Sequence, residues 1–123
     1  MNSVSIQKAK EFLNRKHQAR NRKLHKRFEI AWIDFKGIIE MIISKYSPNR
    51  IYQWGSLLDE NKFSEISDID IAVEGIKSSE DFFALYGEAT EMTEFPLDIV
   101  EMEKIIPEHA DSIKQNGKII YER

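Results

Sequence analysis

The sequence has no cysteine, which excludes a disulfide framework, a thiolate metal site and a cysteine nucleophile; its chemistry must come from oxygen and nitrogen groups. It has no apolar run approaching the roughly 18 residues of a membrane span, and its first residues are polar and basic instead of signal-like. A cytoplasmic chain with no membrane partner is expected. Internal repeats and low-complexity stretches are also absent. Acid is scarce in one region only: across Met1–Arg27 the single acid Glu11 stands against Lys8, Lys10, Arg15, Lys16, Arg20, Arg22, Lys23, Lys26 and Arg27. That segment carries +8 and the remaining chain −11, for a net −3. Aromatics are nearly missing from it too, with Phe12 alone, so stacking on single-stranded bases is a poor use for this arm.

What is present suffices for one ordinary core: 123 residues at 41% hydrophobic content. The charge change near Arg27 suggests a basic helical extension over 1–27 and a body over 28–123. Ser5–Leu24 contains no helix breaker and is rich in good helix formers, but Val4, Phe12, Leu13, Ala19 and Leu24 make no broad apolar stripe, so this helix is expected to project. A second, core-facing helix is predicted from Phe28, Trp32, Phe35, Ile39, Ile42 or Ile43, and Tyr46, ending at the turn chemistry of Ser47-Pro48-Asn49. Strands follow at Arg50–Trp54, Asp68–Val73 and Phe95–Met102, with a last edge strand at Lys118–Tyr121. Ser78 with Asp81 resembles a capping box opening a helix whose Phe82, Phe83 and Tyr86 should pack, and a short helix over Pro107–Gln115 stops at Asn116-Gly117. The order predicts an α/β (α+β) layer, a small mixed sheet flanked by helices.

Because side chains alternate along a strand, Asp68 and Asp70 share one face while Ile69, Ile71 and Val73 enter the core from the other. Two carboxylates about 6.6 Å apart repel by roughly 2.5 kcal/mol at an effective dielectric of about 20, and Asp is disfavoured in strands. A compensating hard cation such as Mg²⁺ or Mn²⁺, completed by substrate phosphates, suits that arrangement. Asp98 lies in another apolar strand, between Leu97 and Ile99, so three aspartates can converge in the manner of metal-assisted phosphoryl or nucleotidyl transfer. Gly55-Ser56, directly after a strand, can form a tight turn whose N–H groups and hydroxyl cradle an anion.

Strand, Gly-Ser, loop, Asp-x-Asp on a second strand and Asp on a third form a specific combination. WGSLLDENKFSEISDIDIAV followed by PLDIV resembles the signature of the polymerase-β-type nucleotidyltransferase superfamily, in its minimal nucleotidyltransferase (MNT) branch. The resemblance spans roughly Phe28 to Tyr121. It implies that Gly55 and Ser56 hold nucleotide phosphates, that Asp68 and Asp70 coordinate Mg²⁺, and that Asp98 is a third carboxylate helping to deprotonate an acceptor hydroxyl. Short members often carry Arg-Ala after the Gly-Ser; Leu57-Leu58 stand here, which removes a cation and leaves Lys62 as a substitute from the same loop. Ser67, before the first Asp, matches the family pattern as a phosphate contact or as a local turn bond.

The implied activity is Mg²⁺-dependent transfer of a nucleoside monophosphate, AMP from ATP, to a hydroxyl, and the MNT branch implies an antitoxin that adenylylates a tyrosine of a small helical HEPN-type toxin. The alternative is a catalytically weak or inactive module that neutralises a protein or nucleic-acid partner by contact. The arm has three readings: a solvated helix, a salt-sensitive nucleic-acid contact, or a docking helix for an acidic partner or for the acidic body of another copy in a homo-oligomer. His17, His25 and His109, with no paired carboxylate, are expected at the surface. Trp54 is expected in the core or at the border of a nucleotide base.

Overall fold

The computed structural model describes residues 3–123; Met1 and Asn2, the start of the expected basic extension, lie outside the described residues. Helix α1 runs from Ser3 to Tyr46 without interruption, one 44-residue helix where the sequence predicts two. At about 1.5 Å per residue it is roughly 66 Å long. The change in charge and apolar density near Arg27 is a change of environment, not of backbone: His25-Lys26-Arg27 contains no glycine or proline, so nothing there costs enough to end the helix. It ends at Ser47, with φ 46°, and Pro48.

Four strands follow, β1 (Arg50–Trp54), β2 (Ile69–Glu74), β3 (Leu97–Glu101) and β4 (Lys118–Glu122), in the sheet order β3-β2-β1-β4. β1 is antiparallel to both neighbours, whereas β2 and β3 are parallel and joined by helix α2 (Ser79–Glu91). A parallel pair cannot be closed by a tight turn, so the crossover helix is a topological requirement. Ser78 Oγ accepts the Asp81 N–H at 3.1 Å and caps α2 as the sequence predicts. Helix α3 (Pro107–Asn116) has proline in its first turn and Gly117 just past its end.

The sheet is covered on both faces. On one, Ala31, Phe35, Ile38 and Ile42 of α1, with Leu85 and Ala89 of α2, bury Ile51, Ile69, Ile71, Val73 and Ile99. On the other, Ile113 of α3 packs with Tyr52, Ala72 and Met102. Phe82 and Tyr86 pack as expected, the Tyr86 hydroxyl donating to Leu97 O at 2.7 Å, but Phe83 is 71% exposed because its turn of α2 points away from α1. Far from the Gly55 end, Arg50 spans three strands through Glu122 at 3.0 Å and Glu74 at 3.4 Å. Among the described residues no helix is long and apolar enough to cross a membrane.

Gly117 marks the tightest joint. A Cβ there would stand 2.5 Å from Ile113 O and 2.6 Å from Gln53 O, both backbone atoms that cannot swing aside. Gly117→Ala is expected to destabilise the protein by about 2–4 kcal/mol by prising β4 from β1, whereas Gly87→Ala, into open space on α2, stabilises by about 0.5–1 kcal/mol. Urea denaturation of the two variants checks this, and equal midpoints would show that the joint yields freely.

Candidate active site

The alternation of β2 sorts its side chains as the sequence requires. Ile69, Ile71 and Val73 are fully buried against α1 and α2, while Asp70 points to the α3 side and is only 9% exposed. Register then brings Asp98 beside it: β2 and β3 pair in parallel with Asp70 opposite Asp98, so the two carboxylates stand at one height on neighbouring strands. Asp68 lies one residue before β2, which begins at Ile69 instead of at the predicted Asp68; Ile69 N donates to Pro96 O at 2.9 Å and ties the starts of the two strands together. Asp68 and Asp98 are partly exposed, and none of the three aspartates makes an ion pair among the described residues.

Electrostatics records their convergence. Burial first, then the negative charge of Asp98, then that of Asp68, push the Asp70 carboxyl up to about 7 from an ordinary 3.8. All three causes disfavour the charged form, and no Lys or Arg among the described residues offsets them. As placed, no group of three acidic or histidine side chains among the described residues is drawn together as a formed metal cluster. The donor chemistry nevertheless suits a hard divalent ion, since an acid-only set with one carboxyl held near neutrality gains most from added positive charge.

Gly55 forms the adjoining wall. Trp54 pairs with Asp70 across β1 and β2, and Gly55 turns the chain with φ 85°. A Cβ at Gly55 would lie 1.9 Å from Asp70 Oδ2 and 2.7 Å from its Cγ. Only glycine accommodates both that dihedral and that carboxylate. Ser56–Leu58 then forms a 3₁₀ turn. Leu57 is fully buried in the core and pins this turn, so its apolar character serves packing, and the family's cation is absent from this place.

A second 3₁₀ turn, Glu60–Lys62, is capped by Asp59, whose side chain accepts the Asn61 N–H at 3.0 Å. The loop leans on α1: Phe28 meets Phe63 edge-on at 5.3 Å between centroids, Arg20 pairs with Glu65 at 3.4 Å, and His25 bonds both Glu60 and, at 2.7 Å, Glu29. His25 is thus exposed as expected but does have carboxylate partners, the first of them 35 residues away; Glu60 above all raises its pKa. Ser67 is buried and its hydroxyl accepts the Ser64 N–H at 2.8 Å, holding a local turn.

Beside Gly55 and Ser56 opens a cleft of about 440 Å³, bounded also by Trp54, Leu58, Lys62 and the α3 face of His109, Ser112 and Asn116. Lys62 thus lines the same cleft as Gly55 and Ser56. His109 is not a free surface residue: it is half-buried, its ring edge-to-face with Trp54 at 5.2 Å. The α3 wall is the part of the site that sequence reading missed. Its signal was the helical spacing of His109, Ser112 and Asn116, three polar residues on one face of a short helix. None of the three aspartates lines this cleft, nor a larger cavity of about 690 Å³ between α1 at Lys23–Asp34 and the segment Glu91–Phe95.

The family model for the polymerase beta nucleotidyltransferase domain matches residues 36–123, and the chain belongs to that family. A search of curated proteins finds no match. Among solved structures, the fold is similar to a chain in a complex of tri-AMPylated Shewanella oneidensis HEPN toxin with MNT antitoxin, at TM-score 0.56 and 18% identity, covering 76% of this chain and 73% of that one. It is likewise similar to a chain of a toxin–antitoxin structure with AMP-PNP, at TM-score 0.57 and 18% identity, covering 71% and 73%.

Two outcomes follow from this geometry. Gly55→Ala is expected to lower nucleotide affinity or turnover at least about tenfold and to cost about 2 kcal/mol or more in stability, read by titration calorimetry and denaturation. The raised Asp70 carboxyl makes the folded state hold a proton that the unfolded chain has released above about pH 4. This stabilisation is complete below the unfolded value and is lost as pH rises through about 7. Thermal melts of metal-free protein should therefore fall by several degrees between about pH 5 and about pH 8, and Asp70→Asn should flatten that fall. A parallel decline in parent and variant would assign the effect to other groups.

Proposed function

We propose that the protein is a nucleotidyltransferase that moves a nucleoside monophosphate, AMP from ATP, onto a hydroxyl acceptor and releases pyrophosphate. The observation that carries this reading is the parallel register that sets Asp70 beside Asp98, directly against the Gly55-Ser56 turn. The triphosphate would lie on the Gly55 and Ser56 turn with Lys62 at its side, and the nucleoside along the cleft wall of Trp54 and His109. Mg²⁺ or Mn²⁺, held by Asp68, Asp70 and Asp98, would supply charge neutralisation at the phosphates and lower the pKa of the acceptor hydroxyl. Asp98, at the more open edge strand, would take the acceptor's proton; the acceptor oxygen would bond to the α-phosphorus as the bond to the β-phosphate oxygen breaks.

The acceptor we favour is a tyrosine on a small helical HEPN-type toxin, with this chain as its cytoplasmic antitoxin. The MNT–HEPN complex with an AMPylated toxin, and the AMP-PNP bound in the second neighbour, support that reading. Leu57 in the core and Leu58 in the cleft favour one competing version, a weakly catalytic module that neutralises its partner by contact.

Calorimetry with ATP, with and without Mg²⁺, separates the two. ATP binding that requires Mg²⁺ and weakens at least about tenfold in Asp70→Asn supports transfer. No binding by the parent supports the contact module, and metal-dependent binding unchanged in the variant removes the metal assignment. Incubation with ATP, Mg²⁺ and a HEPN-type protein encoded beside the gene should add AMP to a tyrosine, read by intact mass and fragment spectra.

A further inference from the structure

Helix α1 continues well past the sheet. Its contacts with the β1–β2 loop at Arg20, His25 and Phe28 mark where it leaves the body, and Val4–Gln18 is exposed throughout, about 22 Å of helix. This arm is amphipathic in register with the core. Ile6, Leu13 and Leu24, at steps of seven and eleven, extend the stripe that Ala31, Ile38 and Ile42 bury further on, yet Ile6 is 43% and Leu13 61% exposed. Alongside runs a basic line, Lys16, Arg20, Lys23 and Arg27, at helical steps of four, three and four, bordering a groove of about 450 Å³ that Glu65, the partner of Arg20, also lines. The arm lies ahead of residues 36–123, the part that the family model matches.

The chain also carries a complementary surface. The outer face of α2 presents Glu80, Phe83, Ala84, Gly87 and Glu91, with Glu94 just beyond, again at three- and four-residue steps. Helix α2 contains no Lys or Arg, Phe83 is largely exposed, and the space above Gly87 is open. Small residues at Ala84 and Gly87 beside an exposed ring let a second helix approach closely. At the end of this face Glu91 and Glu94 line a cavity with Lys23, Lys26 and Arg27 of the chain's own α1, so opposite charges already face one another at the root of the arm.

We infer that the basic arm of one copy docks on the acidic outer face of α2 in a second copy, Leu13 and Phe12 meeting Phe83 and the Lys16–Lys23 line meeting Glu91 and Glu94. A two-fold pair seats both arms at once. Arm-to-arm pairing would set +8 against +8, and a nucleic-acid surface has no use for the aligned Ile6 and Leu13. The inference goes beyond the proposed transfer activity and does not depend on it.

Sedimentation velocity of the full chain at about 50 μM tests it, with salt varied from about 50 to about 500 mM. A dimer is expected at low salt, weakening at least about tenfold at high salt. Phe83→Glu and Leu13→Glu should each weaken it at least about tenfold while leaving the circular dichroism spectrum unchanged. Reversing Glu91 and Glu94 to Arg should abolish association, and adding Lys16→Glu and Lys23→Glu to that chain should restore it. A monomer at every salt, a dimer indifferent to Phe83→Glu, or a monomer whose arm binds a 20-base-pair duplex of arbitrary sequence would each overturn the proposal.

Discussion

Two carboxylates at the same height on neighbouring parallel strands are the constraint around which this molecule is arranged. Strands lie about 4.8 Å apart, and at an effective dielectric of about 20 like charges at such a spacing repel by roughly 3 kcal/mol. Asp70 is the buried member, and burial together with the charges of Asp98 and Asp68 pushes its carboxyl up to about 7. The hydrophobic grip of Ile69, Ile71 and Val73 on the opposite face keeps the register from relaxing, because a one-residue slip would turn three fully buried aliphatics to the wrong side. Core packing thus sustains an arrangement that electrostatics alone would disperse.

The neighbouring turn is shaped by the same carboxylate. Gly55 adopts a positive φ and brings its backbone against Asp70, so this turn and the acid pair are one construction. Leu57 anchors that turn in the core, and the loop beyond is held to α1 through Phe63, Glu60 and Glu65. Helix α1 therefore has two duties: its second half closes the core, and its middle supports the site loop. Its first half is left outside the body, carrying a net charge opposite in sign to that of the body.

Much of this was legible beforehand because it rests on local rules. The bounds of β1, the cap at Ser78 and the stop at Gly117 follow from turn and capping chemistry, and the facing of Asp70 follows from strand alternation. Where sequence reading went astray, a non-local contact decided. A continuous α1 replaced two helices because a shift in charge does not bend a backbone. Phe83 looked like core because periodicity does not say which turn of α2 faces its neighbour. His109 looked like surface until α3 lay against Trp54, and His25 gained Glu60 only through a loop 35 residues away.

The sequence by itself determined most of the elements, the faces of the strands and the aspartates that come near one another, since dihedral preference, side-chain alternation and capping act over a few residues. Only the tertiary structure decided that Asp70 sits level with Asp98, that Gly55 touches the carboxylate, and that His109, Ser112 and Asn116 of α3 close the cleft. Those relations depend on strand order and register, which are set when apolar surfaces separated by tens of residues are buried together. No local window of the chain contains that information.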